Sequence, residues 1–154
     1  PGWSEIGKSH VIQSIGQKAC VQGYRVLYRT SAELLADLTA SLADKTLPAR
    51  LRRYAGPDLL IIDEFGFDRI ERTECPESAH LLYKIIAARN QKRSTAVVTN
   101  VDFDKWGEYL PDGPLAMAFL DRLVERAIVL KLRGKSYRAW LAEQAEKNSK
   151  KTAE

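Results

Sequence analysis

Short β-favouring runs alternate with stretches of helical period along this chain, and that alternation restricts the fold more than any other feature. The runs are Tyr24–Arg29 (YRVLYR), Asp58–Ile62 (DLLII), Thr95–Thr99 (TAVVT) and Ala127–Leu132 (AIVLKL). Strands apolar on both faces belong to parallel sheets covered by helices on each side, so the chain reads as α/β. Helical spacing runs from Lys8 to about Gln22, with Gly23 placed to stop it. Thr30 and Glu33 have capping-box spacing and open a helix to about Leu42. After a break at Asp44–Leu47, Ala49–Ala55 is a short basic helix closed by Gly56-Pro57. Pro76 suits a first helical position, and in Glu77–Asn90 the residues Leu81, Leu82, Ile85 and Ile86 form the buried stripe. Residues 101–113, with Trp106, Gly107, Pro111 and Gly113, read as an irregular connection. A helix from Pro114 to about Arg126 precedes the last strand. The segment from Ala139 is helix-forming and increasingly polar, and Asn148–Glu154 is expected to fray.

At 154 residues the chain is one domain's worth, large enough to bury roughly two thirds of its unfolded surface without a disulfide or metal staple. Its two cysteines, Cys20 and Cys75, fit neither a redox pair nor a zinc knuckle. His10 and His80 stand apart from them, so no metal site is expected there. The cytosol is the default compartment, and no apolar run approaches the ~18 residues that cross a bilayer. Charge is uneven along the chain. Residues 1–57 and 115–154 each carry net +4, and residues 58–114 carry −4. Basic ends suit a nucleic-acid partner, and basic surface set against acidic surface suits a head-to-tail oligomer equally well.

Gly2-Trp-Ser-Glu-Ile-Gly7-Lys8-Ser9 matches G-x-x-x-x-G-K-[ST] in full and opens a helix. A glycine-bounded loop turns its N–H groups around a polyphosphate, and the helix aims its positive end at the same charge. Lys8 is then placed to reach the β- and γ-phosphates, and the Ser9 hydroxyl to take one coordination place on Mg²⁺. Further along, the apolar run Leu59-Leu60-Ile61-Ile62 ends in Asp63 and Glu64. In proteins with such a loop the first carboxylate serves the Mg²⁺ shell. The second, on the other side of the strand by period-two geometry, can polarise a water for attack on the γ-phosphate. That pair favours hydrolysis over transfer to a metabolite. Asn100, closing the run STAVVTN, suits either an amide presented to the attacking water or an ordinary turn.

Together these residues resemble the IstB/DnaC-like branch of the AAA+ ATPases, most closely the IstB-type helpers of insertion-sequence transposases. The likeness covers about residues 1–140 and rests on GWSEIGKSH (2–10), GYRVLYRTSAELL (23–35), PDLLIIDEFGF (57–67), STAVVTN (94–100), FDKWGEYL (103–110), LAMAFLDRL (115–123) and RGKSYR (133–138). It implies a P-loop NTPase of three α/β/α layers over 1–140, followed by a helical or frayed tail over 141–154. It also implies ATP and Mg²⁺ as cofactors, with Gly2, Gly7, Lys8, Ser9 and His10 at the nucleotide and Ser9 and Asp63 at the metal. Glu64 resembles the family's catalytic acid, Asn100 its first sensor, Arg122 its arginine finger and Arg138 its second sensor. In the helix that carries Arg122, Leu115, Phe119, Leu120 and Leu123 take the buried positions, so Asp121 and Arg122 face outward. From there Arg122 can reach a neighbouring subunit's nucleotide or pair with Asp121 or Glu125.

Two departures stand out. Glu5 replaces the family's middle glycine, at a position the general loop pattern leaves free. The family also carries a strand directly before the phosphate loop, and Pro1 begins on the loop itself, so the resemblance is to a member lacking that strand. The partners implied are DNA, a transposase or a replicative helicase, and further copies of the chain with ATP at their interfaces. A membrane is not among them. Basic residues available for DNA are Lys45, Arg50, Arg52 and Arg53 in one cluster and Arg89, Lys92 and Arg93 in another. The alternatives are a helicase loader and a nucleotide-binding module that does not hydrolyse.

Overall fold

A computed structural model describes residues 7–66, 77–106 and 113–132. In chain order the elements are α1 (Lys8–Val21), β1 (Val26–Thr30), α2 (Ser31–Ala43), α3 (Leu47–Ala55), β2 (Leu59–Phe65), α4 (Ser78–Arg89), β3 (Ser94–Thr99), a 3₁₀ turn (Phe103–Lys105) and α5 (Gly113–Val124). The three strands form a parallel sheet in the order β1-β2-β3.

Local chemistry sets the element ends. Gly23, at φ +88°, lets the chain leave α1. Its N–H bonds the Cys20 carbonyl at 2.9 Å and that of Tyr24 bonds Ala19 at 3.1 Å, a complete Schellman closure. The capping box forms as the spacing predicts. Glu33 N–H donates to Thr30 Oγ1 at 3.2 Å, and Thr30 N–H to Glu33 Oε2 at 3.1 Å. Pro48 sits in the first turn of α3, where its missing N–H costs no bond.

Side-chain alternation on β2 divides the molecule into layers. Leu60 and Ile62 join Leu34, Leu38, Leu82 and Ile85 in the main core between the sheet and α2 and α4. Ile61, equally buried, points to the opposite face, where α1 lies against all three strands. The result is the α/β/α layering expected. Phe65, at the end of β2, is closed in by rings. Its centroid lies 4.5 Å from that of Trp106 and 5.7 Å from that of Phe119 on α5.

Two expectations are corrected. The run Ala127–Leu132 is not a strand, and Ile128 and Leu130 are 88% and 70% exposed. Among the described residues β3 pairs only with β2, and the run stands off from the free edge of β3 without bonding to it; β propensity does not form a strand without such a partner. A cavity of about 570 Å³ runs along that unpaired edge of β3, between Ile12 and Ile15 of α1 and residues 122–132. The second correction concerns β2, which does not stop before its carboxylates but continues through them to Phe65. Among the described residues no helix is long and apolar enough to cross a membrane. Pro76, Cys75, residues 107–112 and everything beyond Leu132 lie outside the described residues.

Candidate nucleotide-binding site

In a parallel α/β sheet, ligands bind beyond the carboxyl ends of the strands. Here that edge carries Thr30, Asp63 and Thr99-Asn100, and the N-terminus of α1 comes to the same place. Gly7 precedes α1 in the left-handed region, at φ +83° and ψ +17°. A residue with a Cβ pays roughly 1–2 kcal/mol for that conformation, so glycine suits the point where loop becomes helix. The first-turn N–H groups of α1 face no acidic side chain of their own helix and remain suited to an anion.

The side chain of Lys8 donates to Asn100 Oδ1, which brings together residues 92 apart in sequence. Partial burial lowers the Lys8 pKa below the usual lysine value, and the nearby Asp63 carboxylate acts in the opposite sense. Lys8 thus lies on the same side of the sheet as Asp63, near enough for its charge to be felt. Ser9 is half-buried in the first turn of α1, and His10 is exposed.

A β-bulge shapes the acidic pair. Ile62 pairs with Val97 and Phe65 with Thr99, so β2 carries one residue more than β3 across this interval. Glu64 takes up the irregularity at φ +58°, a conformation uncommon for a residue with a side chain. The consequence is a separation of roles. Asp63 is 1% exposed, whereas Glu64 is exposed to solvent. The sequence reading separated the two by simple alternation; the bulge achieves it instead. Asp63 Oδ1 accepts the Glu64 N–H at 2.8 Å, and Oδ2 accepts the Tyr28 hydroxyl at 2.6 Å. On β3, Thr99 Oγ1 donates to the Phe65 carbonyl at 2.7 Å and accepts Val101 N–H at 3.0 Å, which fixes the turn that presents Asn100.

Among the described residues no three His, Cys, Asp or Glu side chains gather as a metal cage. Mg²⁺ binds through one or two carboxylates together with substrate phosphates. The buried Asp63 carboxylate and the Ser9 hydroxyl are hard oxygen donors of the kind it takes.

Other expected site residues lie elsewhere. Arg122 is exposed on α5, where Phe119 and Leu120 are buried and Leu115 and Leu123 partly so. Its guanidinium lies 5.6 Å from the centroid of the Tyr83 ring. Arg50 and Arg53 pair with Asp37 at 3.2 and 3.8 Å, and Arg93 pairs with Asp58, while Lys45, Arg52 and Lys92 are exposed. Arg89, expected in the DNA-facing cluster, is corrected: it is 1% exposed. Its guanidinium donates to the carbonyls of Tyr54 (2.8 Å), Ala55 (3.2 Å), Pro57 (2.9 Å) and Ser94, and to Thr95 Oγ1 (2.9 Å). Gly2 and Arg138 lie outside the described residues. Tyr28 was not singled out in the sequence. Its only signal there was a polar-tipped aromatic inside a buried strand.

A parallel sheet between helical layers, with a glycine-lysine helix start beside the strand end that carries a buried aspartate, has the arrangement of P-loop nucleotide-binding folds. Residues 1–145 match the family described as IstB-like ATP binding protein, and the chain belongs to that family. Among its relatives is a protein named for ATP binding in insertion sequence IS5376 of Geobacillus stearothermophilus, 38% identical over 86% of this chain and 51% of the relative. A counterpart from insertion sequence IS232 of Bacillus thuringiensis is 38% identical over 89% of this chain and 53% of its own length. The chain thus spans about half the length of these curated relatives. Among solved structures, the replication initiator DnaA bound to AMPPCP and single-stranded DNA superposes with a TM-score of 0.69 at 19% identity, covering 95% of this chain and 43% of that one. DnaI superposes at 0.68 with 18% identity, covering 82% and 68%.

Proposed function

We propose that this chain is the ATP-hydrolysing core of a DNA-acting helper that regulates a transposase in insertion-sequence transposition. The observation that carries the reading is the meeting of Lys8, Asp63 and Asn100 at one sheet edge beside the N-terminus of α1. Membership in an ATP-binding family and relatives named from insertion sequences supply the biological setting. Lys8 binds the β- and γ-phosphates, with Gly2, Gly7, Ser9 and His10 around them. Ser9 and Asp63 hold Mg²⁺, which when bound neutralises phosphate charge. Glu64, exposed beside the buried Asp63, orients and deprotonates the attacking water, and Asn100 helps place it.

Arg122 faces outward and acts on the nucleotide of a neighbouring subunit, which makes the working form an oligomer; Arg138 is the second sensor. DNA lies against Lys45, Arg50, Arg52, Arg53, Lys92 and Arg93, without Arg89. The domain extends over 1–140, with 141–154 as a tail, and acts in the cytoplasm.

Phosphate release with and without DNA tests this. Wild-type protein is expected to release phosphate, faster with DNA, and Glu64→Gln to bind ATP while slowing release by about 10²–10⁴-fold. Equal rates in the variant and wild type would overturn the hydrolytic reading. Mixing Arg122→Ala with Lys8→Ala subunits is expected to restore hydrolysis that neither shows alone. Failure to do so removes the trans-acting role of Arg122.

A further inference from the structure

The Asp63 carboxylate is almost wholly buried, and its oxygens are held by two neutral donors, one of them a side chain from another strand. That side chain is Tyr28 on β1. In register Tyr28 stands opposite Ile61, and it is Thr30 that stands opposite Asp63. The phenol therefore reaches diagonally along the sheet toward the carboxyl edge, a span only a long side chain covers. Its hydroxyl accepts from Gln13 Nε2 of α1 at 3.3 Å and donates to Asp63 Oδ2 at 2.6 Å. With one acceptor position occupied by Gln13, the single hydroxyl proton is directed at the carboxylate. Glu64 N–H holds the other oxygen. Two donors, one on each oxygen, fix rotation of the carboxylate about its Cβ–Cγ bond and leave a second lone pair on each oxygen. Phenylalanine would keep the ring; the contacts with Asp63 and Gln13 are what call for the hydroxyl.

We propose that Tyr28, its hydroxyl set by Gln13, is a positioning residue that orients the Asp63 carboxylate for Mg²⁺ and so couples α1 to metal binding. The proposal rests on the assignment of Asp63 as the metal-binding acid. Outer contacts of this kind typically change metal affinity by about 10–100-fold. The test is a Mg²⁺ titration at fixed fluorescent ATP analogue, paired with analogue binding in EDTA. Tyr28→Phe is expected to raise the half-saturating Mg²⁺ concentration by about 10-fold while leaving binding in EDTA unchanged. Gln13→Ala, on the exposed face of α1, is expected to act in the same direction by about 2–3-fold and keeps the test available if the strand variant folds poorly. Unchanged Mg²⁺ half-saturation in both variants overturns the proposal, as does an equal loss in both arms, which marks a purely structural role. Analogue binding by wild type that ignores Mg²⁺ overturns the assignment of Asp63 itself, and the proposal with it.

Discussion

Two charged side chains, Arg89 and Asp63, are each 1% exposed, and they sit at opposite ends of the same sheet. Arg89 lies where β2 and β3 begin, and every N–H-bearing nitrogen of its guanidinium meets an oxygen of the backbone or of Thr95. Asp63 lies where β2 ends, with two donors for a group that can accept about four. A buried cation whose every nitrogen is engaged by a fixed oxygen serves as a brace between α3, α4 and β3. A buried anion left short of donors retains lone pairs for a cation. Burial alone does not mark a functional charge; unsatisfied capacity does.

Removing each charge separates these roles. Arg89→Ala leaves several buried carbonyls without donors and is expected to cost about 3–5 kcal/mol, read as a lower urea midpoint. Nucleotide affinity of the remaining folded protein should be near wild type. Asp63→Asn is the converse: a loss of about 1 kcal/mol in stability, with Mg²⁺-dependent nucleotide affinity reduced at least ~10-fold. If Arg89→Ala selectively abolished nucleotide binding, or Asp63→Asn unfolded the chain, the contrast would collapse.

A smaller effect on stability is expected at Lys8. Its charged form is disfavoured by burial in the ligand-free fold, so Lys8→Met should abolish nucleotide binding and leave the melting temperature unchanged or slightly higher. A clear drop in melting temperature would make Lys8 a structural residue like Arg89. The smallest effect sharpens the Arg89 end. There the Arg25 side chain and backbone N–H, followed by the charge of Arg93, hold the Asp58 pKa down to about 2. Because the folded value is depressed, the contribution of Asp58 is complete above the ordinary carboxylate range and disappears as pH falls toward about 2. The stability difference between wild type and Asp58→Asn should therefore persist at neutral pH and shrink between about pH 4 and 2. A difference independent of pH would show that this exposed cluster acts by shape and not by charge.

Much of this was readable before folding. The helix ends followed from Gly23 and from the Thr30 and Glu33 pair because capping is settled within a few residues. The layers followed from apolar runs because burial on both faces leaves no polar position. Arg89 was misplaced because its sequence neighbours Lys92 and Arg93 are surface cations, and local clustering carries no information about which carbonyls a guanidinium meets across the fold. The strand at Ala127–Leu132 failed for a related reason: its propensity is local, but its hydrogen-bond partners must come from another segment. Tyr28 escaped notice because an aromatic in a strand is ordinary until a carboxylate two register positions away gives its hydroxyl a purpose.

The amino-acid order by itself determined the phosphate-loop pattern, the acidic pair, and the α/β alternation, all properties of spacing along one segment. Tertiary structure alone decided that Lys8 meets Asn100, that a bulge hides Asp63 and exposes Glu64, and that Arg89 is a brace. Those outcomes depend chiefly on contacts between residues 32 to 92 apart, where register and packing select partners that no local window contains.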